Sequence, residues 1–100
     1  MKIPTQVKAF GRIYKVIRDN DMPDKMECWG YLDAMKDVLV LRKRNCEFTP
    51  GHEKQVFLHE LMHIVDSNFH VGLTEEQIQT MAVGLTTIIE DNQLDFRDGK

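Results

Sequence analysis

The residues of this chain best suited to chemistry are His59-Glu60-Leu61-Met62-His63, an H-E-x-x-H sequence. On a helix, residues four apart project from the same face, so both imidazoles can reach one ion while Glu60 stands beside it. Zinc takes neutral imidazole nitrogen at about 2.0–2.1 Å, and its catalytic sites hold three protein ligands and keep one position for water. Glu60 is then placed to accept that water's proton. Val56, Phe57 and Leu58 precede the motif, and Ile64 and Val65 follow it. Three ionisable groups are thereby embedded in an otherwise buried helix, where unpartnered they would cost several kcal/mol. A shared metal removes that cost by pairing them.

A third protein ligand is expected at the start of the next helix, where Glu75 and Glu76 follow a turn short enough to fold that helix back beside the first. A carboxylate there also gains from the helix N-terminus. Glu76 is the primary assignment because it lies two residues before the core-facing Ile78, and Glu75 is the reserve. His70 is a further candidate. The longer H-E-x-x-H-x-x-G-x-x-H arrangement fails, however, since Asp66 and Phe69 occupy its glycine and third-histidine positions. Asp66, three residues after His63, either orients a ligand imidazole through its second N–H or only closes the helix. Tyr31 borders the site as an oxyanion donor or as packing. Cys28 and Cys46 lack C-x-x-C spacing and read as inert thiols.

These side chains need elements to hold them. Thr49-Pro50 is an N-cap and first-turn pair, because proline lacks the N–H that the first turn leaves unpaired. The helix it opens should run to about Asn68. Thr74-Glu75-Glu76-Gln77 is a capping box, and Ile78, Met81, Ala82, Leu85, Ile88 and Ile89 form an amphipathic stripe that carries a second helix to about Asn92. Before residue 49 the apolar residues are β-branched or aromatic and come in short runs. Thr5 to Phe10 and Ile13 to Ile17 flank Gly11-Arg12 as a hairpin. Val7, Phe10, Tyr14 and Ile17 also fit a helical period, but Gly11 and the β-branched content favour strands. After a turn-rich stretch from Asp19 to Asp24, Cys28 to Leu32 and Val38 to Leu41 form a second pair joined by Asp33 to Asp37. The expected fold is a single α+β domain over residues 1–100, with a small antiparallel sheet of three to four strands packed on two helices.

Composition narrows the function classes. The 13 basic and 16 acidic residues leave a formal charge of −3, and the one basic cluster is Arg42-Lys43-Arg44, so no nucleic acid is expected as a partner. The longest apolar run is the four residues Val38 to Leu41, against the roughly 20 that span a bilayer, so no membrane is expected either. The first residues lack an apolar h-region, which gives the expectation of no secretory signal. Two cysteines make at most one bridge, and a cytosolic chain keeps both reduced.

Val56 to Val65 resembles the extended signature of zincin metallopeptidases, and with Glu76 added it is similar to the gluzincin branch. The layout of residues 28 to 90 resembles the small ImmA/IrrE-like metallopeptidases of phages and mobile elements. The resemblance implies a cytoplasmic peptidase with Zn2+ held by His59, His63 and Glu76, and with Glu60 as general base. Many such relatives carry an E-x-x-A-N-x-F-A-like stretch on the following helix. This chain instead reads Gln79-Thr80-Met81-Ala82-Val83-Gly84-Leu85, which leaves Glu75 beside Glu76 as the acidic ligand. With no large second lobe, the substrate cleft must be shallow or completed by a partner protein. The expected function is zinc-dependent hydrolysis of a peptide or protein substrate, with a non-catalytic zinc-stabilised interaction module as the alternative.

Overall fold

Two short hairpins and two capped helices build the molecule, in the order β1 (Gln6–Ala9), β2 (Arg12–Asp19), β3 (Gly30–Asp33), β4 (Val38–Arg42), α1 (Pro50–Phe69) and α2 (Glu75–Asp91). The computed structural model describes residues 2–19, 29–33, 35–42 and 49–95. Cys28, Cys46, Lys43, Arg44 and most of the stretch from Asp19 to Asp24 lie outside the described residues.

The first hairpin turns on Phe10 and Gly11, both at positive φ (53° and 79°), with Ala9 opposite Arg12. A two-residue loop with two left-handed residues matches the right-handed twist of the strands it joins. Gly11 adopts that conformation freely and Phe10 does so at a steric cost. The Phe10 ring meets Phe69 at the end of α1 edge-on, with centroids 5.1 Å apart. In the second hairpin Asp33 Oδ1 accepts hydrogen bonds from the Met35 and Lys36 amides, each at 3.2 Å, as Asp does in tight turns.

The sheet has the order β1-β2-β4-β3. It is mixed, which corrects the expectation of an antiparallel sheet: each hairpin is antiparallel, but β2 and β4 pair in parallel, Lys15 opposite Val38 through Asp19 opposite Arg42. Strand β4 is therefore central. Leu39, Val40 and Leu41 are all buried, as expected for a strand covered on both faces. Strand β3 forms one edge.

Leu39 and Leu41 meet Phe57 of α1 in the core, with Val7, Val16, Leu32, Val56 and Leu61 packed around them. Glu53, Phe57, Glu60 and Ile64 form the buried face of α1 at spacings that repeat about every 3.6 residues. Fully buried Glu53 pairs with the Arg18 guanidinium of β2, which ties the helix to the sheet. Helix α1 contacts β3 and β4, and α2 packs against α1. The stripe on α2 is only half used. Ile78 and Ala82 are buried with Thr86, whereas Met81, Leu85 and Ile88 are 44–54% exposed, because one neighbouring helix covers a narrower arc than the six apolar residues occupy.

Gly30 sets the approach of α1 to the edge strand. A Cβ there would stand 2.8 Å from the Val40 carbonyl oxygen and 2.8 Å from Val56 Cγ1. Gly30→Ala is expected to destabilise the fold by about 1–3 kcal/mol, the usual cost of overpacking, read as a lower midpoint in urea unfolding.

Candidate metal centre

Two local devices bring α2 back onto α1. His70 ends α1 in the left-handed conformation, φ 53° and ψ 45°, with its amide donating to the Asp66 carbonyl. The Asp66 carboxylate then accepts the Gly72 amide at 2.8 Å and the Leu73 amide at 3.0 Å. Thr74 restarts the helix with a full capping box: its hydroxyl accepts from the Gln77 amide at 3.1 Å, and its own amide donates to Gln77 Oε1 at 2.9 Å. The first residue of α2, Glu75, is delivered to the histidine face of α1. Asp66→Ala is expected to leave two amides without their partner, and so to loosen the turn and weaken metal binding together. Faster hydrogen exchange at residues 70–75 would check this.

Three side chains converge. His59 Nε2 and His63 Nε2 lie 3.2 Å apart, with Glu75 Oε2 3.1 Å from the first and Glu75 Oε1 2.9 Å from the second. Four ligands placed tetrahedrally at about 2.0–2.1 Å from zinc are separated by roughly 3.3–3.4 Å, so these atoms need to open only slightly to hold the ion. Gln79 Oε1 lies 2.7 Å from His59 Nδ1; an amide oxygen only accepts, so Nδ1 carries a hydrogen in this contact. In the neutral imidazole Nε2 then presents a lone pair to the group shared with His63 and Glu75, where a cation would meet all three.

Glu60 is 5% exposed and on the core side of the pair, with a carboxylate oxygen within 4.8 Å of ring nitrogens of both histidines. Burial pushes its carboxyl above the ordinary glutamate range, while His63 and then His59 pull it back. A carboxylate held this way is a proton acceptor of raised basicity.

The centre opens into a cleft of about 650 Å³ between α1 and β3. Its walls include Tyr31, His59, Glu60, His63 and Glu75, together with Asp66 on the side of the turn. Of the two acids the sequence offers, Glu75, the reserve, is the one that meets both imidazoles, and Glu76, the primary assignment, is exposed and outside the cleft wall. Residues two apart on a helix diverge by about 160°, whereas residues three apart differ by about 60°. The acid that shares the side of Ile78 is therefore Glu75. His70 is exposed and takes no place in the cleft wall; its backbone closes the end of α1. Asp66 serves the turn.

Gln79 belongs to no motif in the sequence, although its spacing of four from Glu75 places both on one face. It holds His59 as outer partners hold ligand histidines elsewhere. Gln79→Leu is expected to weaken zinc binding by about 10–100-fold while leaving the fold intact, as measured by competition with a chromophoric chelator.

No family model, no curated protein and no solved structure matches this chain. Among the described residues no helix is long and apolar enough to cross a membrane.

Proposed function

We propose that this chain is a zinc-dependent peptide hydrolase in which His59, His63 and Glu75 hold the metal and Glu60 is the general base. The observation that carries the reading is the convergence of two imidazole nitrogens and a carboxylate, within 3.2 Å of one another, beside a buried glutamate. Zinc, when bound, polarises a carbonyl oxygen and lowers the pKa of water. The chain's own residues do the rest. Gln79 keeps the His59 proton on Nδ1, so Nε2 stays available as a ligand. Glu60 takes a proton from the attacking water and returns it to the leaving amine, so it ends the cycle ionised as it began. Glu75 is 72% exposed, which leaves the solvent side of the centre open to substrate.

The cleft supports a peptide as substrate. Strand β3 stands at the sheet edge and lines the cleft with Gly30, Tyr31 and Leu32. An extended peptide laid along an edge strand gains backbone hydrogen bonds without any particular sequence. A cytoplasmic setting belongs to this reading, since it is what the resemblance implies. The exposed Met81, Leu85 and Ile88 favour the second reading, a zinc-stabilised interaction module, or a partner protein that completes the cleft.

Incubation of the zinc-loaded protein with a mixed peptide library, followed by mass spectrometry, tests the proposal. New termini that vanish on chelation and return with zinc are expected. A library left intact under saturating zinc, with the metal seated on these ligands, favours the interaction module.

A further inference from the structure

The end of the cleft away from the turn has a separate character. Trp29 and His52 line it, with ring centroids 5.1 Å apart and planes inclined at 64°. The Arg42 guanidinium covers a face of the indole, 5.4 Å from its centroid. Val56 continues the wall towards the centre. Among the described residues that form the cleft, the acids Glu60, Asp66 and Glu75 belong to the metal and turn end, and none accompanies the aromatic pair.

Register along the two walls gives the spacing. Trp29 meets His52, and Gly30 faces Val56 one turn further along α1; β3 therefore runs beside α1 in the same sense, towards the histidines. His59 and His63 bring their Nε2 atoms within 3.2 Å of each other, so the centre lies level with the middle of that turn, nine residues beyond His52, or about 13.5 Å along a helix axis. An extended peptide advances about 3.3 Å per residue, so about four residues of substrate span the distance from the metal to the aromatic pair.

We propose that Trp29 and His52 form a specificity subsite for an aromatic side chain, placed four residues from the scissile bond and on one side of it only. The proposal rests on the peptidase reading and names its substrate class: extended peptides with an aromatic anchor at that position. The indole, contacted by Arg42 and His52, contributes apolar wall to the cleft. A further ring can meet it edge to face, and such pairs add to what burial alone gives. One-sidedness follows because only one end of the cleft carries the pair.

The test uses hydroxamate-capped peptides, whose cap seats on an open metal site and fixes one end of the chain. One pair carries the hydroxamate at the C-terminus and another at the N-terminus. Members of a pair differ only by Phe or Ala at the fourth residue from the cap. Binding to the zinc-loaded protein is followed by the fluorescence of Trp29, the sole tryptophan, so no turnover is needed. In one polarity the Phe peptide is expected to bind about 3- to 10-fold more tightly than its Ala partner, the range for one aromatic contact. His52→Ala should reduce that preference to less than about 2-fold without changing the affinity of the Ala peptide, and His52→Phe should retain it. Equal affinities in both polarities, or a preference that survives His52→Ala, would overturn the subsite and leave the metal centre standing. A zinc-loaded protein that binds none of the four peptides would instead overturn the open metal site, and the subsite with it.

Discussion

Glu60→Gln is expected to lower peptide hydrolysis by about 10²–10⁴-fold, the range that a positioned general base contributes. The substitution preserves size and hydrogen-bonding capacity but removes the ability to accept a proton at neutral pH. Glu60 lies within 4.8 Å of the histidine ring nitrogens on the core side of α1, beside the triangle of His59, His63 and Glu75 proposed to hold the metal. The loss should therefore fall on kcat, with KM little changed and zinc stoichiometry unaltered. Melting should not fall either, since a neutral amide is easier to bury than a carboxylate whose charge burial already disfavours. Equal turnover of one peptide by both proteins would remove Glu60 from the mechanism. Loss of zinc in the variant would make Glu60 a ligand and the site a closed, structural one.

The second large effect concerns the metal and the fold together. His59→Ala, His63→Ala and Glu75→Ala should each lower zinc affinity by orders of magnitude, because two protein ligands hold the ion poorly. Glu76→Ala should leave it almost unchanged. A ligand that binds only the native state adds about 4 kcal/mol of stability when its free concentration is 1,000 times Kd. In a domain of this size each kcal/mol moves Tm by about 4–8 °C, so chelation should lower the wild-type Tm by roughly 15–30 °C and the Glu75→Ala Tm far less. If Glu76→Ala lost zinc and Glu75→Ala kept it, the acid would move by one position.

The parts of this molecule legible in the sequence are those whose physics is local. Thr49-Pro50 and the Thr74 to Gln77 box mark both helix starts because a cap is satisfied within four residues. The first hairpin is legible because Gly11 fits a turn that needs positive φ, although the turn is made by Phe10 and Gly11, one residue before the expected Gly11-Arg12. The parallel pairing of β2 with β4 is not. It depends on how two hairpins dock, although the unbroken run Val38 to Leu41 already resembles a central strand more than an alternating edge. Placing the acid that meets the two histidines needed only helix geometry. Counting two residues back from Ile78 pointed to Glu76, whereas the angular step around the helix points to Glu75, and Gln79 one turn later.

Diffraction from crystals of the zinc-loaded protein, with anomalous data collected on both sides of the zinc absorption edge, tests the central claim most directly. One zinc is expected per chain, bound to His59 Nε2, His63 Nε2 and a Glu75 oxygen at about 2.0–2.1 Å, with Glu60 beside it and uncoordinated. An anomalous peak elsewhere, or a zinc enclosed by four protein ligands with Glu60 among them, would contradict the account.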